Sequence, residues 1–313
     1  MLIECAYCTA DVRRHLEMST SRSDDPIGCL MKQNTIHVIW HRRARRLSPD
    51  RCAVEQYAEH WRRAGWTVRH LFGVPGIWHR MAKLTLMHVD LSVVPKKYVK
   101  WALFASQQSL VWNAQIHDIR KSQVSPNLLF PEDDWAGRVI VKTDRNFGAS
   151  PEGAQRFSVK KKVWRDAGYP AKREYLVKDS LADVPGWAWR SPHWVVERYF
   201  EDQETASSMW TLTIMGTEME LVRFSTESQD ANDRSRYTEW EVHEVDDELR
   251  KMVSDLRIDY GRLDLFRVAN KWELLDVNKT PGQYPRQDAA PDRKAFYDRR
   301  IAALAHALLE QLN

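Results

Sequence analysis

The chain has few cysteines and no long apolar run. Its four cysteines are Cys5, Cys8, Cys29 and Cys52. They are too few and too closely spaced to stabilise a chain of 313 residues through disulfide bonds, which favours a reducing compartment without structural disulfides. No run of about 18 apolar residues exists, which argues against a membrane span, and the N-terminus lacks the pattern of a secretory signal. We therefore expect a cytoplasmic protein with no membrane contact.

An excess of one charge is also missing. The sequence has 47 Lys and Arg residues against 43 Asp and Glu residues, a net charge of +4 at pH 7. This balance gives little support to a polyanionic partner, so nucleic acid is not expected. With 43% hydrophobic residues, the chain can bury the cores of two or three small domains.

Residues 1–34 are polar and show no clear periodicity, which is typical of a flexible leader. The alternative is a metal or redox site, because Cys5 and Cys8 have the spacing of a zinc or redox half-site. No second pair follows, so Cys29 and His15 would have to complete it. The leader is the preferred interpretation.

Residues 35–115 are predicted to form an open α/β domain. Apolar runs predict strands at 36–40, 66–72, 84–94 and 110–113. Helical stretches lie between them: Val54, Tyr57 and Trp61 mark the buried face of a helix that ends at Gly65. Strands that alternate with helices indicate a parallel sheet.

The second half is divided into residues 116–200 and 201–313, where short turns join most of the strands, as in antiparallel sheets. Strands are predicted at 139–142, 194–200, 210–215, 219–224, 262–268 and 272–277. The polar segment 225–240 is predicted to be a mobile loop. Apolar residues at helical spacing predict a C-terminal helix; they are Tyr297, Ile301, Leu304, Leu308 and Leu312.

The most informative stretch is 258–282, in which Asn270 and Lys271 form a natural turn between two alternating strands. On the second strand, Asp276 and Asn278 are two residues apart and share a face. On the first strand, the same is true of Arg262 and Asp264. If the two faces coincide, the hairpin presents hard oxygen ligands suited to Mg²⁺ beside a guanidinium group.

A hairpin with merely solvated acids is the alternative, but the motifs favour a known family. Gly-Arg-Leu-Asp264 followed by Asp276-Val-Asn278-Lys-Thr-Pro-Gly282 resembles the metal-binding signature of the ATP-grasp superfamily. The resemblance covers most of the chain beyond residue 35. It implies a pre-ATP-grasp domain (35–115), a small lid subdomain (116–200) and a C-terminal subdomain with the metal site (201–313).

The resemblance also assigns nucleotide-binding residues. Lys121 in the linker and Lys142 on the next strand match the family's lysines that contact the ATP phosphates. The segment 143–153, with Gly148 and Gly153, resembles its glycine-containing phosphate loop. Val195-Val-Glu197-Arg198-Tyr-Phe200 resembles its adenine-reading strand, and Glu204 its ribose-binding acid.

The implied cofactors are ATP and two Mg²⁺ ions, with Mn²⁺ as the alternative ion. Asp264, Asp276 and Asn278 are the implied metal ligands. The implied catalytic residues are Arg262 and Lys142, which would neutralise charge on the transferred phosphoryl group. Many amide-forming members have glutamate at the place of Asp276, whereas Asp-x-Asn also resembles the inositol phosphate kinases of this fold. This departure leaves the acceptor class open.

Three functions follow. The leading hypothesis is an ADP-forming carboxylate–amine ligase that joins a small-molecule or peptide carboxylate to an amine through an acyl phosphate. The second is a small-molecule kinase, for which the basic run Arg42 to Arg46 could bind an anionic substrate, although a solvated loop is the simpler explanation. The third is a nucleotide-, peptide- or nucleic-acid-binding module without activity. Oligomeric state, including a homodimer, stays open.

Overall fold

The computed structural model describes residues 32–46, 52–76, 82–155, 175–200, 208–225, 239–283 and 291–313. The described part contains one parallel sheet followed by two antiparallel sheets. The predicted class, an open α/β domain followed by antiparallel sheets, is therefore confirmed. Most of the predicted leader, Glu204 and most of the loop at 225–240 lie outside the described residues.

The first sheet has four parallel strands in the order β2-β1-β3-β4. A 3-10 turn at Arg42–Arg46 follows β1. The elements are β1 Lys32–Trp40, α1 Ala53–Arg63, β2 Thr67–Phe72, β3 Ala82–His88, α2 Lys96–Ala105 and β4 Leu110–Trp112. Strand β1 thus begins three residues before the expected start of this domain.

The second sheet has four antiparallel strands in the order β5-β8-β6-β7. Its elements are α3 Lys121–Val124, β5 Leu128–Leu129, β6 Val139–Thr143, α4 Ser150–Gln155, β7 Leu176–Lys178, α5 Gly186–Arg190 and β8 Trp194–Arg198. A 3-10 turn at Asn146–Ala149 leads from β6 into α4. The segment 143–153, expected to be a flexible loop, is thus helical from Asn146 onward.

The third sheet has five antiparallel strands in the order β11-β10-β9-β12-β13. Its elements are β9 Ser208–Met215, β10 Glu218–Ser225, β11 Glu239–His243, α6 Asp247–Leu256, β12 Tyr260–Val268, β13 Lys271–Asn278 and α7 Pro291–Leu312. No described helix has the length and apolar character needed to cross a membrane.

Two predicted strands end earlier than expected. Strand β3 stops at His88 instead of continuing to residue 94, because its neighbour β1 ends at Trp40, the register partner of His88. Beyond that point no ladder is available, and Val93 forms only an isolated bridge with Asp118. Strand β8 likewise ends at Arg198 rather than at Phe200.

Three strands were not predicted. They are β5, β7 and β11. Each lies at the edge of its sheet, where one strand neighbour is enough, and β5 and β7 are too short for an alternating pattern to be visible. Strand β11 pairs with β10 from Ser225 to Leu221, so its position depends on tertiary pairing.

The C-terminal helix packs on the first sheet. Ile301, Leu304 and Leu308 of α7 belong to the same buried cluster as the predicted α1 face. The Trp61 Nε1 atom donates a hydrogen bond to the Ala305 carbonyl at 3.1 Å. Helix α2 covers the opposite face of the sheet through Tyr98 and its neighbours. The parallel sheet is therefore covered on both sides, as parallel sheets require.

Gly261 is a position where the fold requires glycine. A Cβ atom there would lie 2.6 Å from the Asn278 carbonyl oxygen and 2.6 Å from Ile258 Cδ1. We expect Gly261→Ala to lower the free energy of unfolding by about 1–3 kcal/mol, because backbone atoms must move. Chemical denaturation measures this. Gly153→Ala is the control, since nothing lies within 4 Å of a Cβ atom there; equal effects of the two variants would contradict the expectation.

His88 makes the fold sensitive to acid. It is fully buried, with its ring 4.3 Å from Trp40 and 6.1 Å from Tyr260. Burial lowers its pKa to about 3, and the charges of His70 and Lys279 act in the same direction. The unfolded chain binds this proton near pH 6.5, so stability is complete above that pH and falls as the pH drops toward 3.

We therefore expect the free energy of unfolding to fall by up to about 1.4 kcal/mol per pH unit through His88 below pH 6. Urea titrations at several pH values between 7 and 4 measure the slope. His88→Leu should flatten it, whereas substitution of the exposed His117 by Gln should not. An unchanged slope in His88→Leu would assign the acid sensitivity to other groups.

Candidate active site

The two strands of the predicted metal hairpin meet with their polar faces aligned. In the β12–β13 register, Asp264 lies directly opposite Asp276, and Arg262 lies opposite Asn278. The register shifts just after Asp264, so that Leu265 pairs with Leu274 and Leu275 is an extra residue on β13. This bulge keeps Leu274 in the core while Asp276 stays on the polar face.

Each of the two opposed carboxylates is held by a cation. The Arg262 Nε atom lies 3.0 Å from Asp264 Oδ1, and the Lys121 Nζ atom lies 3.3 Å from Asp276 Oδ1. Like charges directly opposite on neighbouring strands repel each other, and Asp264 is only 5% exposed. The positive charges of Arg262 and Lys121 therefore offset the repulsion between the two carboxylates.

Lys121 is a buried cation at the centre of the site, and it is 4% exposed. Burial alone would lower its pKa, but the charges of Asp276 and Glu197 and the hydrogen bond to Asp276 outweigh burial and raise the pKa above its usual value. Lys121 therefore stays protonated at neutral pH. Its position is set by its own backbone N–H, which donates to the Asp144 carbonyl at 2.9 Å.

A second buried ion pair lies on the second sheet, between β6 and β8. The Lys142 Nζ atom of β6 lies 2.8 Å from Glu197 Oε2 of β8. Both side chains are almost completely buried, and Glu197 Oε1 has no hydrogen-bond partner among the described residues. Tyr175, with its ring 6.0 Å from Lys142 Nζ, connects this pair with Lys121. The two lysines therefore face one common region.

Asn146 connects the turn after β6 with the β12–β13 hairpin, and the sequence patterns did not predict it. Its Nδ2 atom donates to the Val277 carbonyl at 2.6 Å and lies 3.4 Å from Asn278 Oδ1. Its Oδ1 atom accepts from Lys121 Nζ at 3.4 Å. Its position four residues after Lys142 is the only signal in the sequence, and the contacts depend on three separate elements. Tyr175 was missed for the same reason.

The remaining predicted nucleotide residues are distributed around this region. Phe200 stacks with Phe266, at 6.5 Å between ring centroids, and Phe266 follows Asp264 on the polar face of β12. Arg198 is exposed, and its guanidinium lies 5.0 Å from the centre of the Trp135 ring. It lies on the face opposite to Glu197, because successive strand residues point to opposite faces. Gly148 has a φ of 63° in the 3-10 turn after β6. Glu204 lies outside the described residues.

The hairpin contains donors suited to a hard divalent cation. No group of three or more His, Cys, Asp or Glu side chains that could hold a metal occurs among the described residues. The hairpin offers two carboxylates and one amide, a set that fits Mg²⁺ bound partly by substrate phosphates. The amide nitrogen of Asn278 faces Asp264 at 3.4 Å, and a half-turn of the amide would present its oxygen instead.

The residue after this donor set is also buried. Lys279 is 1% exposed, its Nζ atom donates to the Leu91 carbonyl at 2.7 Å, and burial lowers its pKa to about 8. Thr280 Oγ1 donates to Asp90 Oδ1 at 2.8 Å. Two hydrogen bonds thus connect the residues that follow β13 with the residues that follow β3 of the first sheet.

Comparisons with known proteins find similarity only among solved structures. No protein-family model matches the chain, and no curated protein matches it. The macrocyclase MdnC of Microcystis aeruginosa MRC, bound with precursor peptide MdnA, is 10% identical and covers 88% of this chain and 99% of its own, with a TM-score of 0.49.

Two further structures give similar values. A RiPP-associated ATP-grasp ligase of Chryseobacterium gregarium, in complex with ADP and a leader and core peptide, is 10% identical, with coverage of 89% and 97% and a TM-score of 0.47. The D-alanine–D-alanine ligase of Bacillus anthracis is 11% identical, with coverage of 90% and 97% and a TM-score of 0.43. ATP-grasp ligases are thus among the solved structures to which this chain is similar.

Proposed function

We propose that the chain is an ATP-grasp enzyme that uses ATP and divalent metal to join a carboxylate to an amine. The observation that carries the proposal is the direct opposition of Asp264 and Asp276, with one cation on each of them. A structural hairpin gains nothing from two opposed carboxylates, because they repel each other. A site that binds Mg²⁺ and the phosphates of ATP needs both.

The proposed nucleotide site extends from the β12–β13 hairpin toward the second sheet. Asp264, Asp276 and Asn278 would hold Mg²⁺, which supplies neutralisation of the negative charge on the β- and γ-phosphates. Lys121 and Lys142 would bind phosphate oxygens. Both lysines are paired with carboxylates here, so nucleotide binding would exchange those partners for phosphate.

The adenine would lie beyond the phosphates, near Glu197 and Phe200. Glu197 Oε1 is a buried acceptor that no described residue satisfies, and an exocyclic amine could donate to it. Phe200 and Phe266 offer an apolar boundary on the side of the hairpin.

Chemistry at the γ-phosphate would depend on position and charge. A substrate carboxylate oxygen attacks the γ-phosphorus and ADP leaves, which gives an acyl phosphate. An amine then attacks the acyl carbon, phosphate leaves, and the amine loses a proton. Arg262, which pairs with Asp264, would neutralise charge on the oxygens of the transferred group. No side-chain nucleophile is needed.

Hydroxylamine provides a direct test, because it traps acyl phosphates as hydroxamates. The protein is incubated with ATP, Mg²⁺, hydroxylamine and a mixture of amino acids and short peptides, and the products are analysed by mass spectrometry. We expect hydroxamates and ADP, both absent with Asp276→Ala. Phosphorylated products without hydroxamate would favour the kinase, and an absence of ATP consumption with cell extract as the substrate source would favour a binding protein.

A further inference from the structure

The first sheet has a topological switch point between β1 and β3. Strand β1 is followed by α1 and then by β2 on one side, while β3 lies on the other side of β1. The two helices cover opposite faces of the sheet, α1 with one buried cluster and α2 with another. In open parallel sheets, ligands bind in the crevice outside the carboxyl ends of the strands at such a point.

A basic turn lies at this crevice, directly after β1. We call the exposed residues Arg42, Arg43 and Arg45 the basic turn. The turn is anchored, because Ala44 is buried in the core and the Arg42 N–H donates to the Tyr98 hydroxyl at 2.9 Å. Neither Arg42 nor Arg45 forms an ion pair with a carboxylate within the described part of the chain.

The proposed active site reaches the same crevice from the other side. Lys279 and Thr280, next to the metal hairpin, contact Leu91 and Asp90 just beyond β3. The chain then continues to Pro281, whose carbonyl accepts from the N–H of Ala53 at the start of α1 at 3.0 Å. The basic turn directly follows β1 and precedes both attachments in sequence. Because β1 and β3 are parallel neighbours about 4.8 Å apart, with Trp40 opposite His88, the turn and residues 90–91 leave the same edge of the sheet.

We propose that the basic turn binds a second anionic group, a carboxylate or a phosphate, of the substrate whose carboxylate is activated. Arginine binds both groups through paired hydrogen bonds. Asp90 is the acidic residue that follows β3. It already accepts a hydrogen bond from Thr280 and lies near Lys279, so the basic turn is the cationic side of the crevice. The inference rests on the proposed ligase function, and it narrows the substrate to a compound with at least two anionic groups.

Binding of three tripeptides tests the inference. They are Glu-Glu-Glu, Gln-Gln-Gln and Gln-phosphoSer-Gln, each titrated calorimetrically into the full chain with ADP and Mg²⁺. We expect at least one anionic peptide to bind about tenfold more tightly than the neutral one, as for one charged hydrogen-bonding site. The stronger of the two anionic peptides then identifies the group as carboxylate or phosphate.

The double variant Arg42→Ala/Arg45→Ala should lose this preference. The matched control is Arg63→Ala/Arg69→Ala, which removes two exposed arginines from α1 and β2 and should keep it. The inference is overturned if the wild-type protein shows no preference for anionic peptides, or if the preference survives in the Arg42/Arg45 variant.

The two proposals fail in different ways. If the wild-type protein forms hydroxamates but binds the three peptides equally, only the inference about the basic turn is wrong. If it binds anionic peptides through Arg42 and Arg45 but never consumes ATP, the ligase proposal is wrong and the anion site remains. Thermal melting of all variants verifies that each is folded.

Discussion

Replacing Asp276 or Asp264 by asparagine is expected to lower ATP turnover by about a thousandfold. Asparagine keeps the size of the side chain but removes the negative charge that would hold Mg²⁺. Because the two carboxylates are register partners, each depends on the other, and we expect the double variant to be little worse than either single one.

The control for this prediction is another aspartate of the same half of the chain. Asp255 on α6 is exposed and pairs with Lys251 at 2.6 Å, a type of contact that contributes little. Asp255→Asn should keep full turnover. If Asp264→Asn or Asp276→Asn were as active as Asp255→Asn, the hairpin would not be the metal site.

The second large effect concerns stability. Lys142→Met is expected to lower the free energy of unfolding by about 3–5 kcal/mol, because Glu197 is left buried without its cation. Replacing Glu197 by Gln in the same chain should restore much of the loss, since no buried charge then remains. Urea unfolding of the two single variants and the double variant gives the coupling energy.

An exposed lysine is the matched control for this experiment. Lys251→Met removes the partner of Asp255 at the surface and should cost less than about 1 kcal/mol. An effect of Lys142→Met no larger than that of Lys251→Met would show that the pair with Glu197 does not stabilise the second sheet. Nucleotide affinity of Lys142→Met should also fall, because the lysine is the proposed phosphate contact.

Sequence patterns predicted the parts of the fold that depend on local order. The α1 face formed by Val54, Tyr57 and Trp61 is buried, and the C-terminal helix is present with its apolar face inward. What α7 packs against was not predictable, because its partners in α1 lie more than two hundred residues earlier. The short edge strands β5 and β7 carry too few residues for a period to be recognised.

The candidate site could likewise be predicted only where it depends on local sequence patterns. A period of two places Arg262 with Asp264 and Asp276 with Asn278, but the register that opposes the two pairs, and the bulge at Leu275, are set by strand pairing. Asn146 and Tyr175 reach the site only through the fold. The proposed roles of Asp264, Asp276 and Lys142 are those that the variants above test.

Mg²⁺-dependent nucleotide binding tests the central claim most directly. Calorimetric titration with a non-hydrolysable ATP analogue is carried out with and without Mg²⁺ on the wild-type chain and on Asp276→Asn. We predict that Mg²⁺ strengthens wild-type binding by about tenfold or more and that Asp276→Asn loses this gain. No binding to the wild-type chain, or equal binding with and without Mg²⁺, would contradict the proposal.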